Sequence, residues 1–189
     1  MNIDTAVAEA VKTLKDGGII LYPTDTVWGL GCDATNPKAV EKIFSLKRRS
    51  ESKSLIVLAD GLDMLYRYIK EVPEVACQLI EVTDTPLTII YPGAIGLASN
   101  VISEDGSVGI RIPDHEFCKK VIYKLRRPIV STSANISGEA APQQFEDISP
   151  EVRAGADWCA DPVFAEGSTG KPSSIIQLGV GGEIKIIRK

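Results

Sequence analysis

Pro128-Ile129-Val130-Ser131-Thr132-Ser133-Ala134-Asn135-Ile136-Ser137-Gly138 joins an apolar run to four hydroxyls and one amide. Ile129 and Val130 read as a strand entering a core. The small polar side chains behind them offer hydrogen bonds and leave a ligand room to approach the backbone. A strand end followed by an Asn-Ile-Ser-Gly turn explains the same residues. Both readings stand until the rest of the chain is read.

Working outward, the segment before this stretch, Asp114 to Leu125, turns Phe117, Val121, Ile122 and Leu125 inward at helical spacing. Asp114 is placed to cap that helix, which leaves His115 exposed in the first turn. Ser107 to Ile112 reads as a strand broken by Pro113, and Leu87 to Tyr91 as another, stopped by Pro92-Gly93. Leu55 to Leu58 is a further strand. Asp60 is placed to cap a short helix holding Leu62, Leu65 and Ile69, and a second helix covers Glu74 to Glu81. At the N-terminal side, residues 3–16 have helical spacing and end at Gly17-Gly18, ahead of a short strand, Ile19 to Tyr22. Asn36-Pro37 pairs an N-cap with proline at the first helical position, and that helix runs to about Lys47. On the C-terminal side Ser149-Pro150-Glu151 opens a short helix. Ser174 to Leu178 and Ile184 to Ile187 form a hairpin around Gly181-Gly182. Strands and helices alternate, yet the chain closes on antiparallel pairing. The expected architecture is α/β: a twisted, mixed, open sheet with flanking helices, one domain over residues 1–189.

Composition narrows the function. The chain has 189 residues, 44% of them hydrophobic and 24% charged, with a net charge of −4. That balance suits a globular protein and speaks against a general polyanion binder. Cys32, Cys77, Cys118 and Cys159 form no Cys-x-x-Cys pair and read as buried free thiols in a reducing cytosol. No apolar run approaches the roughly 18 residues of a membrane span, and no basic leader precedes Asp4 and Glu9, so a cytoplasmic protein without a membrane partner is expected. His115 is the single histidine. Multi-histidine metal sites are thereby excluded, and any Ser-His or Cys-His nucleophile pair would have to use it.

Two nucleotide fingerprints nearly form. Gly29-Leu30-Gly31-Cys32-Asp33-Ala34 fits G-x-G-x-x-A, but the helix signal comes only at Asn36-Pro37. Ala165 to Lys171 resembles a phosphate loop, with Ala165 at the first glycine position and Pro172 where a hydroxyl should hold magnesium. The loop Lys47-Arg48-Arg49-Ser50-Glu51-Ser52-Lys53 carries four cations against one acid. It reads either as a solvated helix end or as a phosphate clamp. Arg111 alternates with Val108, Ile110 and Ile112 and shares a face with Gly109, as a carboxylate anchor in a cleft or an arginine on a solvated face.

Taken together, these pieces resemble one family. Tyr22-Pro23-Thr24-Asp25-Thr26-Val27-Trp28-Gly29-Leu30-Gly31 resembles its Y-P-T-[DE]-T-V-Y-G-L-G signature, Lys47-Arg48-Arg49 its K-x-R motif, and Ser133-Ala134-Asn135 its S-x-N motif. Val108 to Pro113 and Pro172-Ser173-Ser174-Ile175 match in the same order. This is the YrdC-like family of threonylcarbamoyl-adenylate synthases. The resemblance implies a concave, basic cleft in which L-threonine, bicarbonate and ATP (with Mg2+) become threonylcarbamoyl-AMP and pyrophosphate. The product serves the modification of adenosine 37 in tRNA, completed by downstream threonylcarbamoyl-transferase proteins. The chain resembles the short form, without the additional C-terminal domain of longer members.

By position, the resemblance assigns Thr26, Arg111, Ser131 and Ser173 to threonine. It assigns Lys47, Arg49, Lys53, Ser107, Ser133, Asn135, Ala141 and Arg188 to ATP, with Lys47 and Arg49 stabilising charge in the catalytic step. The sequence departs from the family at Trp28, at Arg48 and Ser50, at Ser54, at Leu58, where some members carry a histidine, and over residues 83–100. Binding of tRNA or double-stranded RNA, or a paralogue's different substrate, is the alternative.

Overall fold

The computed structural model describes residues 2–50 and 54–189. Among the described residues nine strands form one mixed sheet: β1 (Ile20–Tyr22), β2 (Gly29–Gly31), β3 (Ile56–Leu58), β4 (Leu87–Tyr91), β5 (Val108–Arg111), β6 (Ile129–Ser133), β7 (Trp158–Cys159), β8 (Ser174–Leu178) and β9 (Ile184–Arg188). Their spatial order is β7-β1-β2-β6-β3-β5-β4-β8-β9. β3–β5, β4–β8 and β1–β7 pair in parallel, and the other neighbours are antiparallel. The sheet is therefore the twisted, mixed, open one the sequence implies. Its edge strand β7 has no periodic signal in the sequence, because two residues are too few to show alternation.

Register decides what the sheet's two faces carry. Val130, Val57, Ile110, Ile89 and Ile176 lie opposite one another across five strands, a wholly aliphatic row. One residue away, the row is Ser131, Ile56, Gly109, Ile90 and Gln177, and the next is Leu58, Arg111, Thr88, Ile175 and Arg188. Side chains alternate between faces along a strand. The aliphatic row thus belongs to the core, and the rows on either side of it face the other way.

The helices are α1 (Ile3–Lys15), α2 (Pro37–Leu46), α3 (Leu62–Tyr68), α4 (Glu74–Val82), α5 (Glu116–Leu125) and α6 (Pro150–Gly155). Asn2 caps α1 by accepting from the Asp4 amide, and Asn36 caps α2 by accepting from Lys38 and Ala39. α1 buries Ala6, Val7, Ala10, Val11 and Leu14, and α5 buries Phe117, Cys118, Val121, Ile122 and Leu125. Phe117 stacks between Trp158 and Phe164 at 5.8 and 5.6 Å, tying α5 to the C-terminal part of the chain.

Several local expectations change. Gly61, not Asp60, precedes α3, without a side-chain cap. His115, not Asp114, is the N-cap residue of α5, and its ring is buried, not exposed. Its Nε2 pairs with the Phe164 carbonyl at 2.9 Å, so the aromatic stack that closes over α5 covers the histidine too. Of the four thiols only Cys32 and Cys118 are buried; Cys77 is half-buried and Cys159 exposed. Gly29 and Gly31 lie in a strand with no helix directly after them, so the dinucleotide pattern has no phosphate-binding turn. A Cβ at Gly31 would stand 2.6 Å from the Tyr22 ring and 2.7 Å from the Val130 carbonyl, so close strand approach requires this glycine.

Candidate functional site

Above the two mixed rows lies a cleft of about 800 Å3. Its floor is the sheet itself: Ser131, Ile56, Gly109, Ile90 and Gln177 in one row, Arg111, Thr88, Ile175 and Arg188 in the next. Thr26, Arg49, Ser107, Ser133, Asn135, Ala141 and Ser173 line it as well. All the residues assigned from the sequence to threonine or ATP come together here except two. Lys47 does not line the cleft, and Lys53 lies outside the described residues. Leu58 shares a row with Arg111 but is fully buried and does not reach the cleft. Trp28 packs on Phe145 at 5.1 Å and is likewise absent from the lining.

At one end stands Arg111, 4% exposed. Its Nη1 forms a buried ion pair with Asp25, and its Nη2 donates to Thr26 Oγ1 at 3.3 Å. Its Nε has no hydrogen-bond partner among the described residues. The loop that carries Asp25 is itself fixed. The Thr24 hydroxyl meets that of Thr26 at 2.8 Å and receives the Thr26 amide at 3.0 Å. Thr169 and Gly170 donate their amides to the carbonyls of Asp25 and Thr26 at 3.0 and 2.8 Å. Ser168 donates its hydroxyl to the Thr24 carbonyl. The segment that imitates a phosphate loop is thus a clasp on residues 24–26. Thr88 and Ser173 pair their hydroxyls at 2.8 Å, and Arg188 Nε donates to the Ser173 carbonyl at 2.9 Å. β9 sets Arg188 into the wall.

At the other end α2 closes in a Schellman turn. Arg48 adopts φ 50, its amide bonds Ser45 O at 3.1 Å, and the Arg49 amide reaches back to Phe44 O at 2.9 Å. The reversal sends three neighbouring cations three ways. Arg48 turns outward to Glu151 at 2.7 Å. Arg49 enters the cleft, donating Nη2 to the Ser54 carbonyl at 2.7 Å, with Nε unpartnered among the described residues. Lys47 turns into the protein, where its Nζ donates to the carbonyls of Ser133 and Asn135 at 2.5 and 2.6 Å. Burial, and secondarily the charge of Arg49, lower the Lys47 pKa to about 8. Asn135 spends its Nδ2 on the carbonyls of Ile136 and Glu139 and leaves Oδ1 without a partner among the described residues. The Ser107 hydroxyl and amide both donate to Asp105, holding that carboxyl below its usual range.

Sequence reading missed Asp25, Thr88, Gln177, Ser54, Ser103 and Asp105 as parts of this site. Thr88 and Gln177 follow only from strand register. Asp25 carried a signal, an acid within a short polar loop between apolar strands, but its partner lies 86 residues away. Arg49, Arg111 and Arg188 share the lining with Glu104, Asp105 and Glu139. Among the described residues no three His, Cys, Asp or Glu side chains group to hold a metal ion. No helix there is long and apolar enough to cross a membrane. The arrangement can hold an anionic, hydrogen-bonding small molecule against Arg111 and a second, more highly charged one beside Arg49.

The sequence and the fold both have counterparts among known proteins. The Sua5/YciO/YrdC family model, described as telomere recombination, matches residues 12–189. The threonylcarbamoyl-AMP synthase of Vibrio campbellii is 33% identical over 147 residues, 76% of this chain and 80% of that protein. The synthase of Riesia pediculicola is 35% identical over 141 residues, 72% of this chain and 75% of its own. Among solved structures, P. abyssi Sua5 complexed with L-threonine superposes with a TM-score of 0.83 at 27% identity, over 94% of this chain and 52% of that one. This chain therefore spans about half of that protein. E. coli YciO, at 22% identity and a TM-score of 0.82, shares the fold over 100% of this chain and 90% of its own.

Proposed function

The chain belongs to the Sua5/YciO/YrdC family, and on that premise we propose that it is a threonylcarbamoyl-AMP synthase, joining L-threonine, bicarbonate and ATP into threonylcarbamoyl-AMP and pyrophosphate. One observation carries the reading: motifs scattered from Thr26 to Arg188 line a single cleft with two chemically different ends.

The Arg111 end suits the amino acid. A guanidinium gives a planar fork for a carboxylate, and the hydroxyls of Thr26, Ser131 and Ser173 surround it with small donors and acceptors. The Arg49 end suits the nucleotide. Arg49 stabilises phosphate charge, Ser133 and Asn135 offer hydrogen bonds, and Ser107 and Ala141 complete the wall. Arg188 ends the row of Arg111 on β9 and adds its positive charge to the cleft wall.

In the first step bicarbonate takes up a proton and loses water to give CO2, and the neutral amine of threonine attacks its carbon. A carbamate forms and the amine proton leaves to solvent. A carbamate oxygen then attacks the α-phosphorus of ATP, and the bond to the bridging oxygen breaks to release pyrophosphate. The protein supplies no nucleophile in this scheme. Burial of Arg111 and Asp25 keeps water from the carboxylate site, and fixed donors around both ends hold the reactants in line. Mg2+ enters with the triphosphate as part of the substrate. The product passes to the proteins that transfer the threonylcarbamoyl group to tRNA.

The RNA-binding alternative has less support. Its support is the basic loop after α2, where Lys47 is buried and Arg48 is paired with Glu151. Pyrophosphate release is the test. It should require ATP, threonine and bicarbonate together; release indifferent to omission of threonine or bicarbonate would refute the synthase.

A further inference from the structure

The K-x-R spacing suggests two cations on one ligand, but the turn after α2 separates them. Lys47 is 1% exposed and absent from the cleft lining, while Arg49, two residues on, lines it. The Lys47 ammonium bonds two backbone carbonyls, those of Ser133 and Asn135. The connection is reciprocal, because the Lys47 carbonyl accepts the amide of Ser137 at 2.8 Å. Three bonds thus join Lys47, at the end of α2, to the last residue of β6 and two residues of the turn after it. That turn presents Ser133 and Asn135 to the cleft. A chain leaving a strand has few backbone partners of its own, and buried carbonyls there need donors. The Ser133 carbonyl accepts the Asn135 amide at 2.9 Å, and Lys47 adds a second donor to it and supplies the Asn135 carbonyl from behind.

We propose that Lys47 is a positioning residue. It braces the backbone of the Ser133-Ala134-Asn135 turn so that the Ser133 and Asn135 side chains meet the nucleotide, and it makes no contact with the phosphates. The proposal rests on the nucleotide reading of the Arg49 end and refines it: charge on the phosphates comes from Arg49, and shape comes from Lys47. Two N–H donors suffice for the two carbonyls, and a neutral amine still has two.

Binding of AMP, ADP and ATP, measured by titration calorimetry on the full chain, tests this. Arg49→Ala is the internal standard for a phosphate contact: its loss of affinity should grow from AMP to ATP as phosphates are added. Lys47→Met should weaken all three nucleotides by the same factor, about tenfold, the scale of one or two hydrogen bonds lost through the turn. It should also speed amide hydrogen exchange at Ser137. A loss that grows with phosphate number in Lys47→Met would overturn the proposal. If that variant does not fold, the wild-type protein decides. With the Lys47 pKa near 8, a brace keeps the ratio of ATP to AMP affinity level between pH 7 and 9, and a phosphate contact makes that ratio fall. Wild-type protein that binds none of the nucleotides would instead refute the nucleotide reading itself.

Discussion

At the Arg111 end of the cleft the protein's charges are largely answered before any ligand arrives. Asp25 sits against the guanidinium, Thr26 receives Nη2, and the Thr88 and Ser173 hydroxyls hold each other. At the Arg49 end the cation rests on one carbonyl, that of Ser54, and its Nε is unpartnered among the described residues. Arg111 is buried, whereas Arg49 is half-buried. A buried, paired charge has already lost its water and cannot move, so it selects a ligand by geometry. A half-exposed arginine that rests on a neutral carbonyl keeps its charge for a ligand and adapts to it. The contrast fits a small amino acid that must be chosen among many, beside a nucleotide recognised largely by its phosphates.

The comparison breaks most sharply at Arg111. Arg111→Ala should abolish amino-acid-dependent pyrophosphate release, by at least about 100-fold. It should also destabilise the protein by about 3–5 kcal/mol, because Asp25 stays buried without its partner. Denaturant unfolding and the release assay read the two effects separately. Adding Asp25→Asn should restore much of the stability and none of the activity. Arg49→Ala should lower ATP affinity by about 10- to 100-fold, on the scale of a charge-assisted contact, and cost less than about 1 kcal/mol of stability. Loss of stability equal to that of the Arg111 variant would show that the two ends do not differ as described.

A smaller effect comes from pH. His115 lies behind the Arg111 end, near Asp25, Arg111 and Glu116, and burial lowers its pKa below 6.5. The unfolded chain therefore binds the proton more readily than the folded one. Stability is complete above pH 6.5 and should fall as the pH drops below it, by at most about 1.4 kcal/mol per pH unit. Denaturant midpoints between pH 7.5 and 5.5 should show the slope in the wild type and flatten it in His115→Asn. The least effect belongs to the Arg49 end. Arg48 holds φ 50, a conformation that favours glycine, and its ion pair with Glu151 is exposed. Arg48→Gly should change stability by no more than about 1 kcal/mol, in the stabilising direction, and leave turnover intact. A large loss would mean that the turn depends on its side chain.

Much of this was legible residue by residue. The helix start at Asn36 carries its cap beside it, and the strands of the sheet's centre announce themselves by β-branched runs. The cap expected at Asp114 failed because the aromatic stack of Phe117 and Phe164 draws His115 inward, and no local signal reports a contact 49 residues away. Asp25, Thr88 and Gln177 were hidden for the same reason. Each belongs to the site through a partner on a distant strand or loop.

The sequence by itself determined the helices and most of the strands, β2 and β7 aside, and that the sheet is mixed, and it marked most of the motif residues that line the cleft. Tertiary structure decided how those residues are divided: Arg111 against Asp25, Arg49 into the cleft, Lys47 behind the Ser133-Ala134-Asn135 turn. Element formation depends on neighbours a few residues apart. The division depends on strand register and on one chain reversal after α2, and both are settled by packing between segments that the sequence does not place side by side.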